Sequence, residues 1–280
     1  MRPVAGTGPL CSQLSSGDGA EVLVTDFQAL NGAPRLSQLL GDAATDQRIY
    51  QVDPRGALSG GRLYASLAEL ADEAVALFRA ESSAAGDQRL FVVSHCSAAA
   101  LSLRIAGHLS AVREVTAVLV QPTWPGTEHV VQGFAEFQAK LGAGGQPCPD
   151  LDGDPRACVA EMEQLMRAEM TELAKRHGLD SAPLAFSELL VSYRTWLAFL
   201  LACRNDRPAE PPAESVEVTV LTDDPHFVFP GTAPDRYRIT PPPSGERPDD
   251  VTPELARLVL GQIGNWEPPD PRRSMSARRG

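Results

Sequence analysis

The sequence predicts an α/β fold: a mostly parallel, doubly wound sheet with helices on both faces and a helical insertion near the carboxyl ends of the strands. Three observations carry this expectation. Short apolar runs alternate with helical stripes through the first half of the chain, the pattern of a parallel sheet with crossover helices. The run VTAVLVQP, residues 115–122, is continuously apolar, as a central parallel strand covered on both faces must be. Residues 129–205 then carry helical patterns and one long loop with no strand signal, before VEVTVLTDD at 216–224 resumes the alternation.

The elements follow in order. MRPVAGTGPLCSQLSSGDG has one early Arg but no apolar core of a secretory signal, so residues 1–19 read as a flexible leader. EVLVT, 21–25, is a short strand, followed by the loop DFQALNGAP and the helix start RLSQLLGD. RIYQVDPRG, 48–56, is a second strand closed by Pro and Gly. In 66–80, Leu67, Leu70, Ala71, Ala74, Val75 and Leu77 form a helical stripe. Ser66, with Glu69 three residues on, makes a capping box at its start. RLFVV, 89–93, is a buried strand, and SAAALSLRIAGHL, 97–109, is the helix after it.

Residues 129–210 form a helical lid, interrupted by the Gly/Pro/Asp-rich loop GAGGQPCPDLDGDPRA. DRYRIT, 235–240, is a late strand, and TPELARLVLGQIGNW, 252–266, is a last helix with Leu255, Leu258, Val259 and Ile263 on one face. The core is therefore expected at 20–128 and 211–267, with a disordered tail at 268–280.

Composition excludes several classes. The formal charge of -11 argues against nucleic acid and against an anionic membrane surface. No apolar run is long enough to span a bilayer. The five cysteines (Cys11, Cys96, Cys148, Cys158, Cys203) are odd in number and lack a CxxC, which points to a reduced, cytoplasmic setting. The five histidines show neither HExxH nor Cys/His spacing, so no metal site is expected.

Chemistry concentrates in FVVSHCSAAALSL, 91–103. It has the form of a nucleophile elbow, a sharp strand-to-helix turn that exposes one reactive side chain. Cys96 stands where a serine is usual, and Ser94 and Ala98 replace the two flanking glycines. All the neighbours are small, which a cramped turn requires. The start of a helix offers free N–H groups that favour a thiolate. The Ser97 N–H would be one oxyanion donor, and the second would come from the loop after 21–25, at Phe27 or Gln28. Ser97 is an alternative nucleophile by a one-residue register shift. A buried structural thiol is the plain alternative for Cys96.

From that elbow outwards the chain resembles the thioesterase domains and stand-alone thioesterases of polyketide and nonribosomal peptide assembly lines. FVVSHCSAAALSLRIAGHL is similar to their strand, GHSxGG turn and helix. QRIYQVDPRG, SLAELADEAVALFRA, ELLVSYRTWLAFLLACR, VEVTVLTDDP and DRYRITPPPSGERPDDVTPELARLVLGQI resemble further elements in the same order, over most of 20–265. The resemblance implies an α/β-hydrolase-like fold with a lid. It also implies a Ser–His–Asp triad acting on an acyl chain, carried as a thioester on the phosphopantetheine of an acyl or peptidyl carrier protein, with no bound cofactor. The setting would be the biosynthesis of antibiotics and other natural products. Apolar lid residues such as Leu165, Met166, Leu189, Leu190, Trp196 and Leu197 would shape the acyl pocket or simply pack helix on helix.

This chain departs from the triad at each position. At the place of the family's acid, VLVQPTWPG offers Pro122 or a neighbour and no carboxylate. At the place of the family's histidine, TPPPSGERPDD offers Ser244 and no His. Asp223 or Asp224 after the penultimate strand is the substitute acid, and His226, which follows, is the substitute base. His129 at the lid's start is a further candidate base, whereas His95 belongs to the turn and His177 to a helix end. A cysteine loses less than a serine without a base, because some thiolate is present at neutral pH. The sequence thus favours loading and handing on an acyl or aminoacyl group over rapid hydrolysis. A homologue without activity that binds a ligand or partner is the alternative reading, and a hydrolase of some other ester or amide is a third.

Overall fold

Alternating side chains decide which face of a strand meets which helix. The computed structural model describes residues 9–27, 34–44, 46–58, 62, 64–82, 89–142, 145–178, 184–206, 212–241 and 251–264, with backbone alone for 184–186. The strands are β1 (Cys11–Ser16), β2 (Glu21–Thr25), β3 (Arg48–Val52), β4 (Leu90–His95), β5 (Val115–Val120), β6 (Val216–Leu221) and β7 (Tyr237–Thr240). The helices are α1 (Leu36–Ala43), α2 (Pro54–Leu58), α3 (Leu67–Glu81), α4 (Ala99–Ser110), α5 (Thr127–Lys140), α6 (Pro155–Arg176), α7 (Leu184–Asn205) and α8 (Pro253–Gly264).

The sheet order is β1-β3-β2-β4-β5-β6-β7. β1 runs antiparallel to β3, and every other neighbouring pair is parallel. On one face, Val22 and Val24 of β2 and Phe91 and Val93 of β4 pack with Leu36 and Leu40 of α1 and with Val259 and Ile263 of α8. On the other face, Leu23 and Val92 join α3, α4 and the lid helices α5–α7 in a larger core. The expected mostly parallel sheet with helices on both faces is the observed one.

Local signals explain most boundaries. Ser66 accepts from the Glu69 N–H at 3.1 Å while the Glu69 carboxylate accepts from the Ser66 N–H at 2.8 Å, so the expected capping box forms. Asp154 caps α6 on the Ala157 N–H, with Pro155 in the first turn. In the insertion, α7 is tied to the core by Arg104 of α4, which grips Asp206 with contacts of 2.8 and 2.5 Å. Arg204 closes the base of the insertion, donating to the Leu151 carbonyl, the Thr127 hydroxyl and Asp152. Among the described residues no helix is long and apolar enough to cross a membrane.

The leader expectation needs correction. Within residues 1–19, Cys11–Ser16 form the edge strand β1, with an irregularity between Gln13 and Ser15. CSQLSS carries no apolar alternation because an edge strand is held chiefly by its backbone ladder; Cys11 is buried, but Leu14 is 40% exposed. The turn into β2 passes so close to Asp46 that a Cβ on Gly17 would lie 2.1 Å from the Asp46 carbonyl oxygen. Gly17→Ala is therefore expected to destabilise the protein by about 1–3 kcal/mol, read as a lower Tm. Gly41→Ala, whose Cβ meets nothing nearer than 3.5 Å, is expected to leave Tm unchanged or raise it.

Candidate active site

The carboxyl ends of four adjacent strands line up the site. Thr25 of β2 pairs with Ser94 of β4, His95 of β4 with Val120 of β5, and Val120 with Leu221 of β6. Carried past the strand ends, these registers set Phe27, Cys96, Gln121 and Thr222 in one row. Among the described non-glycine residues, those with positive φ are Cys96 (53°) and Gln121 (45°). Such backbone costs about 1–3 kcal/mol per residue and persists where surrounding contacts enforce it.

Cys96 is thus at a true elbow. β4 stops at His95, a single 3₁₀ turn spans Cys96–Ala98, and α4 begins at Ala99. Ser94 is fully buried and Ala98 nearly so, which shows why small residues are needed here. The thiol is half-buried. Its sulfur lies 3.4 Å from the Thr123 Oγ1, with either atom able to donate. The Thr123 N–H also donates to the Cys96 carbonyl at 3.2 Å. Thr123 is therefore bound to Cys96 by both backbone and side chain.

The expected chain of Cys96, His226 and Asp223 does not form. The Asp223 carboxylate accepts from Gln121 Nε2 at 3.2 Å. His226 is exposed, and its hydrogen bond is a backbone one, to Asp224 Oδ1 at 2.8 Å. The physical reason is the turn chemistry of 222–226. The Thr222 hydroxyl accepts the Asp224 N–H and Asp224 accepts the His226 N–H, so the loop closes on itself. All five histidines lie among the described residues, and the hydrogen bond at the Cys96 sulfur is to Thr123, not to any of them. His129 Nδ1 accepts the Gly126 N–H at 3.0 Å and so caps α5. His177 caps α6.

Of the oxyanion candidates, Ser97 directly follows Cys96 in the 3₁₀ turn, and its carbonyl lies 3.8 Å from the Cys203 sulfur. Phe27 follows β2 by two residues, its ring stacked 5.3 Å from Phe199 and tilted 5.0 Å from Trp196, both on α7. Gln28 and Ser244 lie outside the described residues. Of the lid residues named above, Met166, Leu190 and Leu197 are buried in the large core, while Trp196 lines the side towards Phe27. A polar cleft of about 600 Å³ opens at the base of the insertion, between Gly126–Glu128, Leu151–Gly153 and Arg204–Asn205.

Thr123 and Gln121 are not legible as site residues in VLVQPTWPG, where the family places an acid. The one legible signal is that QPTWP spaces two prolines around a lone hydroxyl, a chain that must bend tightly just past a strand.

Two carboxylates fix the outer side of the row. Asp26, next to Phe27, is 2% exposed and accepts from the Ser37 N–H at 2.7 Å and from Gln51 Nε2 at 3.2 Å. Burial pushes its carboxyl up despite those donors and nearby Arg35. Burial also acts on Asp53, but bonds from Arg55 and the charge of Arg35 outweigh it and hold that carboxyl below its usual value. The two acids act oppositely on stability. A depressed acid stabilises the fold above its unfolded pKa, and that contribution is lost as pH falls through the folded value; a raised acid stabilises only at low pH, and the contribution is lost as pH rises through the raised value. Asp53→Asn is expected to cost about 1–2 kcal/mol at pH 7, with the difference from wild type shrinking below about pH 4. Denaturant titrations at several pH values check this, and a difference that grows on acidification would contradict it.

No family model matches the chain, and no curated protein does. Solved structures share its fold. The four-domain nonribosomal peptide synthetase AB3403, bound to AMP and glycine, aligns with TM-score 0.58 and 14% identity; the match covers 92% of this chain and 20% of that one. The Vlm2 thioesterase domain bound with a dodecadepsipeptide aligns with TM-score 0.51 and 13% identity, over 95% of this chain and 100% of that one. The NocB thioesterase domain from the nocardicin cluster aligns with TM-score 0.51 and 16% identity, over 91% and 99%. Together with the seven-stranded sheet and the strained turn after its central strand, these matches give this chain the α/β-hydrolase fold that thioesterase domains of peptide synthetases have.

Proposed function

We propose that this protein is a thioesterase-like acyl or aminoacyl transferase acting on carrier-protein thioesters, with Cys96 as the covalent acceptor. The observation that carries the reading is the half-buried thiol at a strained elbow, its sulfur against a hydroxyl and not an imidazole. The Cys96 thiolate attacks the carbonyl carbon of the donor thioester. The oxyanion collects at the Ser97 and Phe27 N–H groups, and the bond to the pantetheine sulfur breaks. Pantetheine leaves as a thiolate and takes up a proton from water. One thioester is exchanged for another, so the step needs no strong base. Releasing the acyl group to water does need one, and this favours transfer to a second thiol or to an amine that is itself nucleophilic.

The aromatic group Phe27–Trp196–Phe199, just past the carboxyl end of β2, suits an apolar acyl chain. The likeness to the Vlm2 and NocB thioesterase domains supports a peptide-assembly setting. A second reading, a homologue that binds its ligand without chemistry, is favoured by the exposed, unengaged ring of His226.

The test is intact mass after incubation with a panel of acyl- and aminoacyl-pantetheine thioesters, for wild type and Cys96→Ala. A stable adduct on wild type, absent from Cys96→Ala, is expected. Free acid released without an adduct would make the protein a hydrolase. Neither product, on folded protein, would make it a binding protein.

A further inference from the structure

Gln121 is held where its own chemistry opposes it. A glutamine seldom adopts a positive φ, and a residue before proline is pushed towards extended backbone; Gln121 precedes Pro122 and has φ 45°. Three hydrogen bonds hold it there. Its N–H donates to the Leu221 carbonyl at 2.8 Å, its Nε2 donates to Asp223 Oδ1 at 3.2 Å, and its Oε1 accepts from the Thr222 hydroxyl at 3.1 Å. All three partners belong to the end of β6 or the loop after it. The bend at Gln121 turns the chain back towards the elbow, so that two residues later Thr123 meets Cys96 with its N–H and its hydroxyl. Beyond Thr123, the Trp124 ring packs 5.8 Å from Phe227 and 5.1 Å from Phe229, which anchors the far side of the same bend.

We infer that Gln121 is a positioning residue, clamped by Thr222 and Asp223, that presents the Thr123 hydroxyl to the Cys96 sulfur as a hydrogen-bond partner for the thiolate. Asp223 then serves the nucleophile through Gln121 and Thr123, and not through a histidine. The inference rests on the reading of Cys96 as nucleophile. Strain at Cys96 and at its neighbour Gln121 has one purpose: each residue aims a sulfur or a hydroxyl that an unstrained strand end would point elsewhere.

The experiment reads Cys96 directly. Alkylation by iodoacetamide at neutral pH, followed by peptide mass, needs no acyl substrate; acyl loading from a pantetheine thioester is measured beside it. Thr123→Val is expected to slow alkylation of Cys96 about tenfold, the worth of one hydrogen bond to a charged group, and Thr123→Ser to restore it. Gln121→Ala is expected to slow it equally, and the double variant Gln121→Ala/Thr123→Val no further, because the first change has already removed what the second deletes. Gln121→Glu keeps the acceptor for Thr222 but sets a carboxylate against Asp223, so the rate falls. Adding Asp223→Asn returns a donor to the pair and restores the rate. In acyl loading, these variants are expected to lower the maximal rate and leave the half-saturating concentration unchanged.

Wild-type alkylation rates in Gln121→Ala and Thr123→Val overturn the inference even if wild type loads acyl groups. Failure of Asp223→Asn to rescue Gln121→Glu overturns the clamp. Slowed alkylation in a protein that never loads an acyl group keeps the inference and overturns the proposed function instead.

Discussion

Replacing Cys96 with serine is expected to slow acyl loading by on the order of a thousandfold, although serine is the usual residue at such a turn. A serine hydroxyl is protonated at neutral pH and attacks only when a base takes its proton. None of the five histidines hydrogen-bonds the residue at this elbow, and the partner it has, the Thr123 hydroxyl, can share a proton but not accept one outright. Shape is not the obstacle, because the turn at φ 53° and its small neighbours suit serine as well as cysteine. The change therefore isolates chemistry from geometry. Single-turnover loading of Cys96→Ser, by quenched flow and intact mass, measures it. Loading within tenfold of wild type would mean that a base reaches the site when substrate binds. His226 would be the first suspect, and Cys96→Ser/His226→Ala would then lose the remainder.

Removing the carboxylate of Glu21 is expected to cost about 3–5 kcal/mol, the largest loss of stability foreseen for a single polar side chain here. Glu21 opens β2 at the amino edge of the sheet and is completely buried. Its oxygens accept from Arg113 at 2.7 Å, from Arg48 at 3.4 Å, and from the Ser82 hydroxyl at 3.0 and 3.2 Å. The Arg113 side chain is itself only 8% exposed. Glu21→Ala would remove that carboxylate from beside a guanidinium in a place water hardly reaches. Three otherwise separate segments, the ends of β3, α3 and α4, meet at this carboxylate, so the loss is expected as one cooperative drop in Tm of roughly 10 °C. A drop below about 2 °C would mean that water enters the gap at little cost. Glu21 is remote from the row of strand ends, so the rate of Cys96 alkylation in the folded variant should match wild type.

What could be read from residues in order was large. VTAVLV and LFVV are buried on both faces and say so by being almost wholly apolar. The turn SHCSA is local, so its meaning survives without knowledge of the fold. The capping box at Ser66 is legible for the same reason. By contrast, β1 was read as a leader, because a polar edge strand is specified by the hydrogen-bonding row of β3 and not by its own side chains. The roles given to Asp223 and His226 came from their place after β6. That place was right, but a carboxylate one residue past a strand can turn to either neighbour, and here the Gln121 amide takes it.

The sequence alone therefore determined the fold class, the elbow and the identity of the nucleophile candidate. All three follow from short-range patterns: apolar period, small residues at a turn, and a thiol at the turn's apex. Only the tertiary structure decided what touches that thiol. The elbow, Gln121, Thr123, Thr222 and Asp223 come from three separate stretches of chain, and they meet because β4, β5 and β6 are neighbours in register. Neither the order of strands in a sheet nor the hand of a strained residue at a strand's end is set by the residues nearby. Both are set by packing across the whole core, and with them the choice of a hydroxyl, not an imidazole, as the partner of Cys96.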